Sequence, residues 1–170
     1  MQGKITLEEH FALAETFTNT MRFSNSMAED LRRRLMDLQG DRLKEMDKFG
    51  IEFAIQSLNS PAVQAVTDVA KAKEMARCAN DVLANEVAKR PDRLAGFAAL
   101  PMQDPGAAIE ELTRCIKELA FVGANVNGSI FNSRVPQNWA PGLNKLGFWN
   151  RIEDFLMPTI CSSLIFWNLN

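Results

Sequence analysis

The strongest constraint on the fold is an alternation of two hydrophobic periods along the chain. Short apolar runs lie at the first strand around Ile5 and Leu7, at Ile51 to Leu58, at Leu94 to Leu100 and at Phe121 to Val126. Between them lie segments whose apolar residues recur at helical spacing. Met27 to Phe49 carries Leu31, Leu35, Leu38, Leu43 and Met46, with Gly40 as a break or bend and Gly50 as the helix stop. Asp68 to Lys89 presents Val69, Ala72, Ala76, Ala79, Val82 and Leu83 on one face. Asp104-Pro105 reads as an N-cap followed by proline at the first helical position, opening a helix to about Leu119. Strand–helix alternation at this spacing defines a parallel α/β architecture. Leu94 to Leu100 is apolar on both faces, as expected of a strand with helices on both sides or of a barrel wall. Phe11 to Asn25 has no clean period and reads as a loop holding Phe17, Met21 and Phe23, either packed or forming a pocket wall.

Residues leaving the strands at their carboxyl ends form one rim, which is where chemistry resides in such folds. That rim carries Glu8-Glu9-His10, Ser57-Leu58-Asn59, Leu100-Pro101-Met102 and Val126-Asn127-Gly128. His10 is the only histidine in the chain. Residues two apart on an extended backbone share a side, so Glu8 and His10 can aim a carboxylate and an imidazole at one point. Both are ligands for a borderline divalent metal such as zinc or manganese. The alternative is an exposed acidic strand end bearing a surface histidine. Two ligands do not complete a catalytic site, which usually takes three protein ligands and a water.

Other classes find little support. A formal net charge of −2 gives no reason to expect nucleic acid or an anionic membrane. No apolar run reaches membrane-spanning length, and Gln2-Gly3-Lys4 leads into a strand rather than a secretory signal. Cys78, Cys115 and Cys161 fit neither a disulfide framework nor a metal knuckle, so a reducing, cytoplasmic setting is expected. Glycine-rich phosphate loops and the nucleophile-elbow motif are missing. Asp41, Asp47 and Asp104 read as solvated or helix-end charges. With 170 residues, the expectation is one domain over 1–170, patterned over 1–128 and divergent over 129–170. In the divergent part, Phe148 to Leu156 suggests a short helix, and the apolar run toward Asn170 either a fifth buried strand or an incomplete fold.

Several blocks carry a family resemblance. They are Met1 to Phe11, Ser57 to Ala65, Lys89 to Arg93, Phe97 to Pro105 and Phe121 to Gly128, collinear over about the first 128 residues. Together they resemble the γ-resorcylate (2,6-dihydroxybenzoate) decarboxylases, a branch of the amidohydrolase superfamily. The resemblance implies a (β/α)8 TIM barrel, here about its first half, with one zinc or manganese ion. It implies removal of a carboxylate ortho to a phenolic hydroxyl, without redox chemistry or an organic cofactor. Carried onto this chain, the metal ligands fall on Glu8 and His10, and the substrate-facing residues on Phe23 and Asn127. The implied partner is a small aromatic acid, and the implied assembly a homo-oligomer. The family's further histidine ligands and late-barrel aspartate have no counterpart here, so no catalytic acid is assigned. An inactive decarboxylase homologue and a related metal-dependent hydrolase are the alternatives.

Overall fold

The computed structural model describes residues 3–17, 25–127, 129–130, 133–134 and 163–167. Strand β1 (Lys4–Phe11) is followed by a short helix α1 (Ala14–Phe17) and by α2 (Asn25–Met36) and α3 (Asp41–Phe49). Strand β2 (Ile51–Leu58) leads through a 3-10 turn (Ala62–Ala65) into α4 (Val69–Lys89), β3 (Leu94–Ala98), α5 (Pro105–Lys117) and β4 (Gly123–Asn127). The pair β5 (Ser129–Ile130) and β6 (Ser133–Arg134) and the strand β7 (Ser163–Trp167) come last. The main sheet runs in the order β1-β2-β3-β4-β7. The first four strands are parallel neighbours, and β7 pairs antiparallel with β4. The expected alternation is therefore present as the first half of a (β/α)8 barrel. The apolar stretch near the end of the chain does contain a strand, and the helix expected at Phe148 to Leu156 lies outside the described residues.

Three boundaries differ from the sequence reading, each for a local polar reason. The helical segment expected over Met27 to Phe49, with Gly40 as a break or bend, is two helices parted at Asp37 to Gly40, and the Asp37 side chain organises the break. The Asp37 carboxylate accepts backbone N–H bonds from Gly40 and Asp41, both at 2.6 Å, and from Gln39 at 3.1 Å. It thus caps α3, which ends where expected at Gly50, whose φ of 67° is left-handed and natural for glycine. Burial pushes the Asp37 carboxyl upward, but the backbone donors prevail and hold it below its ordinary value. The expected loop after β1 contains α1, where the Leu13 N–H donates to Thr16 Oγ1 at 2.9 Å.

The third difference concerns β3, which stops at Ala98 rather than Leu100. Beyond it, buried Asn80 of α4 takes over the pairing. Its Nδ2 donates to Ala99 O at 2.9 Å and its Oδ1 accepts from Ala99 N at 2.8 Å. Nδ2 also donates to Glu111 Oε1 of α5 at 2.8 Å, so one amide joins two helices and a strand end. Burial raises the Glu111 carboxyl, but Arg114 and Asn80 outweigh it and the net shift is downward. The same burial pushes the neighbouring Cys115 thiol up to about 12, as suits a small core side chain. Val69 and Val82, expected on the apolar face of α4, are 40% and 37% exposed. The buried face is instead Ala72, Ala76, Ala79, Asn80 and Leu83.

The outer face of the sheet packs against α4 and α5 through Ala76, Ala79, Leu83, Ala98, Cys115 and Phe121. A second, inner cluster holds Ile55, Ala95 and Phe97, with Phe53 and Val122 against it. Alanines along α4 let the helix lie close to β3, and Gly96 completes the fit. A Cβ at Gly96 would stand 2.8 Å from Phe121 Cε1 and 2.9 Å from Leu83 Cδ2. Gly96→Ala is expected to cost about 1–3 kcal/mol of stability, as added core volume generally does, read as a lower urea midpoint. The Asp37 cap has a pH signature. Its folded pKa is depressed, so its contribution is present above the ordinary value of about 3.9 and is lost as pH falls through the folded value. Asp37→Asn is expected to flatten that acid limb in a plot of melting temperature against pH.

Candidate metal centre

The site is built on the pairing of β1 with β2. Ile5 lies beside Phe53, Thr6 beside Ala54, Glu9 beside Gln56, His10 beside Ser57 and Phe11 beside Leu58. Between Thr6 and Glu9 the register shifts, with Leu7 and Glu8 standing against Ile55 alone. This is a β-bulge, one extra residue that resets which face each later side chain takes. Paired residues share a face. Ile5 therefore goes with Phe53 toward the inner cluster, while Thr6 goes with Ala54, which packs on Leu43 and Met46 of α3. After the bulge His10 joins Ser57 on the inner face, and Phe11 joins Leu58 in the outer core.

Three strands then meet at one point. Ser57 Oγ of β2 lies 3.0 Å from His10 Nδ1. Asn125 Nδ2 of β4 donates to Ser57 Oγ at 3.2 Å and reaches Glu8 Oε1 of β1 at 3.5 Å, a long bond. Glu8 and His10 are thus on the same face, as their spacing predicts, and both are half-buried. An amide nitrogen only donates, so Ser57 Oγ accepts from Asn125. With the imidazole proton on Nδ1, the ring donates to Ser57 Oγ and leaves the Nε2 lone pair outward. That is the tautomer a metal-binding histidine needs, with its second nitrogen held by a hydrogen bond. A carboxylate and an imidazole so arranged fit a borderline divalent ion. Asn125 Oδ1 is buried and has no hydrogen-bond partner among the described residues.

Among the described residues, no group of three His, Cys, Asp or Glu side chains converges on one point. Asp41 and Asp104 have the helix-end roles expected of them. Asp41 pairs with Arg33 and Lys44 on the surface, and Asp104 caps α5 by accepting from Ala107 N at 3.1 Å. Asp47 is exposed and pairs with Arg93 at 2.7 Å. Phe23 lies outside the described residues, as does the side chain of Asn127, whose backbone ends β4. Sequence reasoning missed Asn125. The signal was available, because Asn125 is a polar residue two positions before Asn127 and therefore on its face of the strand. No helix among the described residues is long and apolar enough to cross a membrane.

The chain thus carries a parallel half-barrel with a carboxylate–imidazole pair at the carboxyl end of its first strand. The chain belongs to the amidohydrolase family, which it matches over residues 9–154. It is 51% identical to the γ-resorcylate decarboxylase of Rhodococcus jostii over 163 residues, covering 93% of this chain and 50% of that protein. A crystal structure of 2,6-dihydroxybenzoate decarboxylase in complex with 2,6-dihydroxybenzoate superposes with a TM-score of 0.81 at 49% identity. That match covers 91% of this chain and 48% of the other. The dihydroxybenzoic acid decarboxylase of Polaromonas, solved with manganese and the inhibitor 2-nitroresorcinol, gives 0.78 at 49% identity, over 91% and 47% of the two chains. The chain spans about half the length of the relatives it matches.

The ring orientation is open to a direct check, because the chain contains a single histidine. Nitrogen-15 spectra of the neutral imidazole are expected to show one dominant tautomer protonated on Nδ1. Ser57→Ala is expected to turn that pattern into a mixture.

Proposed function

We propose that the chain serves the metal-dependent, non-oxidative decarboxylation of a hydroxybenzoic acid of the 2,6-dihydroxybenzoate type, giving a phenol and carbon dioxide. The observation that carries this reading is the Glu8–His10 pair, tied to Ser57 and Asn125, in a chain half-identical to such decarboxylases. In this reading Glu8 and His10 hold zinc or manganese, with manganese supported by the related structures that contain it. When bound, such an ion supplies Lewis acidity toward the carboxylate and the ortho phenolic oxygen of the substrate.

The chain's own residues then have distinct tasks. Ser57 holds the Nδ1 side of His10 so that Nε2 faces the site. Asn125 keeps the Glu8 carboxylate on the same side as the ring. Phe23 forms an apolar wall for the aromatic ring, and Asn127, two residues beyond Asn125, faces the substrate region. No residue is assigned as the acid that protonates the ring carbon.

The test is carbon dioxide release by the purified chain with 2,6-dihydroxybenzoate and other hydroxybenzoates, with manganese or zinc added and then removed by chelator. Release that requires metal and is abolished by His10→Ala is the expected result. Ser57→Ala is expected to weaken metal uptake by about 10–100-fold, the usual effect of removing a partner behind a metal ligand. A folded chain that neither takes up metal nor releases carbon dioxide would remove the proposal.

A further inference from the structure

On the outer face of the sheet, directly behind the Glu8–His10 pair, lies the side chain of Arg42 from the first turn of α3. It is only 13% exposed. Its Nη2 donates to the His10 backbone oxygen at 2.7 Å and to Arg34 O at 3.2 Å. Its Nη1 donates to Gln56 Oε1 at 3.0 Å, and its Nε to Asp37 O at 2.9 Å. Glu9 Oε2 lies 3.7 Å from Nη1. One guanidinium thus grips the His10 main chain, the side-chain oxygen of Gln56 next to Ser57, and two carbonyls at the α2–α3 corner.

The need for such a grip follows from strand geometry. On a parallel strand, successive carbonyls point to opposite edges. Phe11 O accepts from Asn59 N, on the β2 side. The His10 carbonyl therefore points away from β2, where β1 has no neighbouring strand among the described residues. The bulge at Leu7 and Glu8 removes regular pairing just before it. His10 is thereby held by β2 on one side only, unless another group takes its carbonyl, and Arg42 is that group. A planar fork with five N–H donors in fixed directions suits this task, and a lysine ammonium does not.

We propose that Arg42 is a positioning residue for the metal centre. By fixing the His10 main chain from behind, it keeps the imidazole against Ser57 and its Nε2 aimed beside Glu8. The inference rests on the metal-binding reading of His10 for its function, but the ring orientation it claims can be measured without metal.

The experiment compares the wild-type chain, Arg42→Met, Arg42→Lys and a remote control, Arg114→Met. Arg114 pairs with Glu111 and Asp81 on the far side of the helical layer, so its loss destabilises the fold without touching the site. For each, the imidazole nitrogen-15 spectrum is recorded without metal, and zinc affinity is measured by competition with a chelating dye. Arg42→Met is expected to replace the single tautomer with averaged shifts and to weaken zinc binding at least tenfold. Arg42→Lys restores the charge without the fork and is expected to recover little of either. Arg114→Met is expected to lower the melting temperature yet keep the wild-type ring spectrum and zinc affinity. A wild-type ring pattern in Arg42→Met, or the same change in Arg114→Met, would overturn the proposal. If Arg42→Met does not fold, Arg42→Lys is judged by the same ring criterion. If the wild-type chain takes up no zinc, the metal reading fails, while the ring spectra still decide the role of Arg42.

Discussion

The parallel pairing of β1 with β2, including its bulge, is the constraint on which the site depends. Strict alternation from Ile5 would send Leu7 and Glu9 to the inner face and leave Glu8 and His10 on the outer face beneath α3. The extra residue at Leu7–Glu8 reverses that phase midway along the strand. The first half of β1 can thus place an apolar side chain beside Phe53, and the second half a ligand-type side chain beside Ser57, on one inner surface. The helical layer answers the same shift from behind, with Thr6 set above α3 and the His10 carbonyl in the grip of Arg42.

Polar groups are treated differently in the two parts of the fold. Between α4, α5 and β3 the buried amide of Asn80 and the carboxylate of Glu111 are fully engaged, with Ala99, Arg114 and each other. Leaving such groups unpaired costs on the order of 1–3 kcal/mol each, so this network fixes the strand end firmly. Four buried side-chain polar atoms among the described residues have no partner: Thr6 Oγ1, Gln56 Nε2, Gln103 Oε1 and Asn125 Oδ1. Three of the four lie on β1, β2 and β4, the strands that build the candidate centre. Of these three, Asn125 is on the inner face at the candidate centre, whereas Thr6 and Gln56 are on the outer face toward α3.

Much of this was legible in the sequence, and the losses have physical causes. Hydrophobic period gave the order of strands and helices, and Asp104-Pro105 and Gly50 gave two helix ends, because these signals are local. The shared face of Glu8 and His10 followed from a two-residue spacing that the bulge leaves intact. The bulge itself was not legible, because Ile5 and Leu7 alternate as in a regular strand and the extra residue shows only in the pairing with β2. Asp37 was passed over as a helix cap because the apolar stripe continues through it from Leu35 to Leu38. Val82 was assigned to the core of α4 and Asn80 was not, since a helical wheel ranks residues by hydrophobicity, whereas Asn80 is buried for its hydrogen bonds to Ala99. The roles of Ser57, Asn125 and Arg42 depend on contacts between residues far apart in the chain, and a single sequence does not encode those distances.

The two margins of the sheet are unlike. At β4 the margin is taken by β7, which runs in the opposite direction. At β1 it is open among the described residues, with Ile5 58% and Leu7 47% exposed. Among the described residues the sheet therefore ends in a parallel-running strand flanked by exposed apolar side chains at β1, and in an antiparallel strand at β7. An incoming strand meets free backbone up to the bulge and then the Arg42 guanidinium already on the His10 carbonyl. The arginine is thus a doorstop at that margin, since a strand pairing along the whole of β1 would have to displace it from the His10 carbonyl.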